Sequence, residues 1–174
     1  MELPRALRKP LTLSVSRARQ NFKAHLKVRA AEHWRTSTCG THMVDIDPAL
    51  PSKAFDELLV SLPRRHANLL IQLRVGHVPL QAYFARIGNA ADATCPTCRE
   101  EPESVAHYLL RCSTYTIHRA VHFLPLGFSG RNLRTLLNME DALRPLFKFI
   151  NATGRLRRTF GELADITMSG DSEA

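Results

Sequence analysis

One segment constrains this chain more than any other. It reads Cys95-Pro-Thr-Cys98, eight residues, His107, four residues, Cys112. Three soft thiolates and one imidazole form the donor set of a tetrahedral Cys3His zinc site. The C-x2-C turn lets two thiolates meet one ion without strain. The expectation is one structural Zn2+ on Cys95, Cys98, His107 and Cys112, with no coordination position left open for water. Such an ion contributes folding free energy, so losing a ligand unfolds the segment. The competing reading makes the cysteines ordinary buried residues and His107 a histidine on a helix face. His118 and His122 are alternative fourth ligands, more at home on the exposed side of a following helix. Cys39 stands apart and reads as a small buried or loop residue.

The rest of the pattern is helical. Val15, Ala18, Phe22, Leu26, Ala30 and Trp34 recur at steps of three or four between Ser14 and about Ser37, with Ser14 or Ser16 as a cap. The stripe is one residue wide, which suits docking better than entry into a core. Residues 36–52 form a long connection in which Pro48 and Pro51 forbid a continuous helix. Ser52, Pro63 and Pro79 then mark three helix starts, and Gly76 and Gly88 mark stops. Their inward residues are Phe55, Leu58, Leu59 and Leu62, then Ala67, Leu70, Ile71 and Leu73, then Leu80, Tyr83, Phe84 and Ile87. These apolar residues are expected to be the best buried in the chain. A loop at 89–101 carries Cys95 and Cys98, and Pro102 opens a helix to about Arg111. Further helices are expected at Tyr115–Phe123, Asn132–Leu137 and Ala142–Ile150, with Pro145 as a kink or boundary and Gly154 as a stop. No sustained period-2 run occurs, so the fold class is all-α: a small helical domain with an embedded Cys3His site, preceded by a long basic helix. The organisation is a basic linker and helix at 1–38, a helical zinc-binding domain at 39–167, and a disordered polar tail at 168–174.

Charge narrows the function. The chain of 174 residues carries a formal +8. Residues 1–38 hold nine basic and two acidic residues, and residues 39–174 hold 15 and 14. A basic arm on a near-neutral body points to a polyanionic partner, RNA or DNA. The candidate contacts are Arg17, Arg19, Lys23 and Lys27 on the arm. Arg64 and Arg65, then Arg155, Arg157 and Arg158, are secondary clusters. Asp45 and Asp47 sit in an irregular loop, and Glu100, Glu101 and Glu103 flank the metal loop as solvated groups, so no set of carboxylates converges for nuclease chemistry. Neither a Gly-rich phosphate loop nor a GxSxG elbow occurs. The chain is therefore read as non-catalytic. No apolar run approaches the roughly 20 residues of a membrane span, and no apolar core of a secretory signal follows the basic start. The expected setting is a reducing, intracellular compartment, the nucleus, with no membrane partner.

Several blocks carry a resemblance: IDPALPSKAF (46–55), SLPRRHANLLIQLRVGHVPLQAYFARIG (61–88), CPTCREEPESVAHYLLRC (95–112) and FINATGRLRRTFG (149–161). With them, the stretch from Ile46 to Phe160 resembles the C-terminal zinc-binding (CCHC) segment of LINE-type (non-LTR) retrotransposon polyproteins of the fungal kind. HLKVRAAEHW (25–34) resembles the connection from the preceding domain more weakly. The resemblance implies a segment following reverse transcriptase and ribonuclease H domains, binding nucleic acid in support of reverse transcription. It implies metal ligation by Cys95, Cys98, His107 and Cys112. The family's catalytic motifs have no counterpart here. A rival expectation is a protein-interaction module that docks its apolar stripe on the upstream polymerase or ribonuclease H domain.

Overall fold

The computed structural model describes residues 14–37, 43, 45–47 and 53–166. The expected linker at 1–13, Cys39, Pro48, Pro51, the start at Ser52 and the tail from Met168 lie outside the described residues. The chain divides into two compact units, Met1–Thr41 and His42–Ala174. Within the first unit, α1 runs Val15–Thr36. Ser14 is its cap: the Ser14 hydroxyl accepts from the Arg17 N–H at 3.2 Å, satisfying one of the donors a helix start leaves open. No residue of α1 is buried.

The second unit is all-α, with no strand among its described residues. The three expected helices are present as α2 (Lys53–Ser61), α3 (Arg64–Val75) and α4 (Gln81–Arg86). The π-helix His107–Arg111 follows, and after it α5 (Thr116–His122). Two short 3-10 turns occupy Leu124–Arg131. Next come α6 (Leu133–Asn138), α7 (Glu140–Thr153) and α8 (Arg157–Phe160). The stops at Gly76 and Gly154 have left-handed φ of 67° and 63°, where a β-carbon would be strained.

The core lies where α7 packs against α5 and α6, with α3 touching α6. Helix α7 buries Ala142, Leu143, Leu146, Phe147, Phe149 and Ile150, a wide apolar face at helical spacing. Pro145 lies inside α7 and does not bound it, because burial of this face outweighs the one backbone bond that Pro145 cannot make. Phe149 gathers Phe123, Tyr108 and Tyr115 at centroid distances of 4.6, 5.5 and 6.3 Å.

Burial differs from expectation in α3 and α4. Leu69, Leu70 and Leu73 are fully buried, but Ile71 and Ile87 are exposed, and Tyr83 and Phe84 are half-buried. The inward positions of α3 are His66, Leu69, Leu70, Leu73 and Arg74, so the stripe holds a cation. Arg74 is fully buried. It donates to Asp47 Oδ2 at 2.7 Å, to the Leu137 carbonyl at 3.2 Å and to Asn138 Oδ1. Its guanidinium also lies 3.5 Å over the Phe55 ring. The signal was in the sequence, since Arg74 stands four residues beyond Leu70 on the same face.

Candidate metal centre

The loop before the π-helix is closed by backbone bonds. Cys95 N–H donates to the Glu101 carbonyl at 2.8 Å, and Glu103 N–H donates to the Ala93 carbonyl at 2.7 Å. Thr94 and Pro102 pair between them. This corrects the expectation that Pro102 opens the helix, because those bonds hold residues 101–103 against residues 93–95. The helical turns begin after Ser104, whose hydroxyl accepts from the His107 N–H at 3.1 Å and whose carbonyl accepts from the Tyr108 N–H at 2.9 Å. At the tip, Arg99 N–H donates to the Cys95 carbonyl at 2.9 Å. Arg99 takes a left-handed φ of 61°, a strain of about 1 kcal/mol for a residue with a β-carbon.

The other pair of ligands is set by the π-turn. Cys112 N–H donates to the His107 carbonyl at 2.8 Å, five residues back. A turn closed this way returns residues five apart to the same side, whereas in an α-helix of 3.6 residues per turn they diverge by about 140°. Four residues between His107 and Cys112 therefore suit a π-turn and not an α-helix.

The four candidate atoms lie within 4.8 Å of one another. Cys95 Sγ and Cys112 Sγ are 3.9 Å apart, and Cys98 Sγ is 3.3 Å from His107 Nε2. A tetrahedral ion bound by sulfur at about 2.3 Å has S···S edges of about 3.8 Å. Cys95, His107 and Cys112 are buried, and all three cysteines are unpaired thiols. The cluster could hold a metal ion. His118 and His122, on α5, are not members of it.

The surroundings favour ligation. His107 Nδ1 lies 3.3 Å from Glu101 Oε2, leaving Nε2 for the metal. Arg111 Nε donates to the same oxygen at 3.0 Å. Arg111, and behind it His107, hold the Glu101 carboxyl below its ordinary range. A carboxylate on the far nitrogen fixes the tautomer and orientation of a ligating imidazole. At Cys95, burial works against the thiolate. The Thr97 hydroxyl, the backbone N–H groups of Cys98 and Thr97, and His107 outweigh it and lower the thiol to about 6. At Cys98 the backbone of Glu100 favours the thiolate, but burial and the Cys95 and Cys112 sulfurs push the thiol up. Converging sulfurs resist joint ionisation unless a cation sits among them.

Of the three acidic residues beside the loop, Glu100 and Glu101 are exposed as expected and Glu103 is not. Glu101 orients His107. Glu103 is fully buried and accepts from Arg155 Nε and Nη2, both at 2.6 Å, and from the Gln81 N–H at 2.7 Å. It thus ties the metal loop to the start of α4 and to the turn after α7. Glu100 is exposed and accepts from the Ser113 hydroxyl at 3.1 Å. Tyr108 anchors the other side, its hydroxyl 2.7 Å from Thr153 Oγ1.

The basic candidates divide. Arg17, Arg19, Lys23 and Lys27 are exposed on α1, as are Arg64, Arg65, Arg157 and Arg158 in the second unit. Phe22 and Leu26 are exposed too, so exposure alone does not separate a charged face from a docking face. Arg155 differs from the other candidates: it is half-buried, and its Nε and Nη2 donate to Glu103. Arg157 pairs with Glu162 at 2.9 Å, and Arg65 donates to the Glu162 carbonyl at 3.4 Å. Asp47 is engaged by Arg74. No helix among the described residues is long and apolar enough to cross a membrane.

No protein-family model, curated protein or solved structure matches this chain.

Proposed function

We propose that the chain is a zinc-stabilised, non-catalytic nucleic-acid-binding module of the kind found at the C-terminal end of LINE-type retrotransposon polyproteins. The observation that carries the reading is the convergence of Cys95, Cys98, His107 and Cys112 in a chain most of whose excess charge sits on one exposed helix. Zinc is the ion this donor set suits best: three thiolates and one imidazole whose ligand atoms lie within 4.8 Å of one another. With four protein ligands the ion is structural, holding the loop at 95–103 to the π-helix. Asp47 and Glu103, which could otherwise serve chemistry, are bound by the buried Arg74 and the half-buried Arg155. The basic face Arg17, Arg19, Lys23 and Lys27 supplies phosphate contacts, with Arg64, Arg65 and Arg158 as secondary ones. The resemblance in residues 46–160 supports the retrotransposon origin and a nuclear setting.

The test is a metal assay on the full chain purified under reducing conditions, with single-stranded RNA binding measured at several salt concentrations. One zinc per chain and affinity falling steeply with salt are the expected results. Replacing Arg19, Lys23 and Lys27 together by Gln lowers the slope of log K against log salt by about 2, or about 0.7 per phosphate contact on a single strand. Protein without metal, or binding indifferent to salt, refutes the reading.

The second reading is a protein-interaction module. The exposed Val15, Phe22 and Leu26 favour it. It expects Phe22→Ala to abolish docking on a polymerase or ribonuclease H domain and the triple Gln variant to bind RNA as before.

A further inference from the structure

The three thiols of the candidate metal centre are not equivalent. Cys95 and Cys112 are fully buried, and the Thr97 hydroxyl lies against both of their sulfurs, at 3.2 and 3.6 Å. Cys98, on the same loop as Cys95, is only half-buried. A small oxidant arriving from water therefore meets Cys98 first. The Cys95 and Cys112 sulfurs stand within 4.8 Å of the Cys98 sulfur and 3.9 Å from each other, so a second thiol is at hand to attack an oxidised one.

Oxidation at this place has a defined consequence for the ligand set. A disulfide between Cys98 and a neighbour leaves one thiolate and His107, half of the four ligands that close a structural site. The loop at 95–103 then loses its tie through the ion to the π-helix.

We infer that Cys98 makes this centre a two-electron redox switch, in which a hydroperoxide converts Cys98 and one neighbouring cysteine to a disulfide and the metal is released. The inference rests on the reading above that the cluster holds zinc, and adds a regulation of it. The Cys98 sulfur attacks one peroxide oxygen, the O–O bond breaks, and the second oxygen leaves as water. The product is a sulfenic acid on Cys98. The sulfur of Cys95 or Cys112 then attacks the Cys98 sulfur, the S–O bond breaks, and the oxygen leaves as a second water. Solvent supplies the two protons, because ligating cysteines carry none. Two thiolates are thus oxidised to one disulfide, and one peroxide is reduced to two waters. Without a neighbour to resolve it, the sulfenic acid would go on to sulfinic acid, which no simple reductant restores.

The test uses the full, zinc-loaded chain carrying Cys39→Ser, which removes the fourth cysteine of the sequence from the thiol count. The unmodified chain is run beside it and is expected to release the same amount of zinc. Hydrogen peroxide is added in small excess at pH 7 with a zinc-sensitive dye present. The expected result is release of about one zinc ion and loss of about two free thiols per chain, both restored by a phosphine reductant and added zinc. Trypsin cuts after Arg86, Arg99, Arg111 and Arg119, so Cys95 and Cys98 share one peptide and Cys112 lies on another. Mass spectrometry should find Cys98 in the disulfide, and dimedone present during a short exposure should label Cys98. A dimedone label on Cys95 or Cys112 with Cys98 unlabelled, or a Cys95–Cys112 disulfide with Cys98 free, overturns Cys98 as the point of entry. Zinc retained with the three thiols intact, or thiols lost irreversibly without a disulfide, overturns the switch and leaves the zinc reading standing. A chain that holds no zinc before peroxide is added overturns that reading and the switch with it.

Discussion

Glu103 is the residue whose removal should be felt most widely. Its carboxylate is fully buried and accepts three hydrogen bonds, two from Arg155 and one from Gln81. Glu103→Ala removes the acceptor and leaves a guanidinium with only 20% side-chain exposure and a helix-start N–H without a partner. Breaking a buried pair from one side costs about 3–5 kcal/mol, a large share of the 5–15 kcal/mol that typically stabilises a domain. With a urea m-value of about 2 kcal/mol/M, the unfolding midpoint should fall by about 2 M. Glu103→Gln keeps the shape and one acceptor oxygen, so its loss should be about half as large. The double variant Glu103→Leu/Arg155→Met leaves no charge stranded and should recover at least half of the loss seen for Glu103→Ala. The assay is urea unfolding of the metal-loaded chain at pH 7, followed by circular dichroism. A midpoint shift under about 0.5 M for Glu103→Ala refutes the argument, as does a double variant no more stable than the single one.

The metal centre makes its own forecasts. Cys98→Ser should abolish stoichiometric metal retention and His107→Ala should weaken it less, as read by metal analysis after dialysis against a weak chelator. Glu101→Ala leaves all four ligands in place but frees the His107 ring, so metal affinity should drop about 10- to 100-fold in a competition titration. His66 is a pH-sensitive element of the core. Burial is the main reason its pKa lies below the usual 6.5, and the hydrogen bond to the Ala164 carbonyl only partly opposes this. A base with a depressed folded-state pKa binds its proton more readily when unfolded. Its contribution is therefore intact above about pH 6.5 and is lost as pH falls toward the folded-state pKa. His66→Gln should flatten the decline of unfolding free energy between pH 6.5 and 5, where one such group adds at most about 1.4 kcal/mol per pH unit. Equal slopes in the two proteins would exclude the role.

What the sequence determined by itself is local. The candidate cluster could be read because Cys95, Cys98, His107 and Cys112 lie within eighteen consecutive positions, where spacing limits geometry. Helix existence could be read because Ser14, Pro63, Gly76 and Gly154 act on the backbone beside them. The fates of the charged residues were decided only by tertiary packing. Arg155 reads as surface charge until Glu103, 52 positions away, is carried beneath it by the loop at 93–103. Arg74 and Asp47 meet across 27 positions, and Asn138 joins them from α6. A buried charge is tolerable only where a partner and hydrogen bonds offset its lost hydration. Whether that partner arrives depends on how the helices stack, and no residue's immediate neighbours record it. The π-turn at His107–Arg111 stands between the two cases. The spacing that suits it, two candidate ligands five residues apart, is written in the sequence. Its form is held by Tyr108 in the core on one side and the backbone hydrogen bonds of the loop at 93–103 on the other.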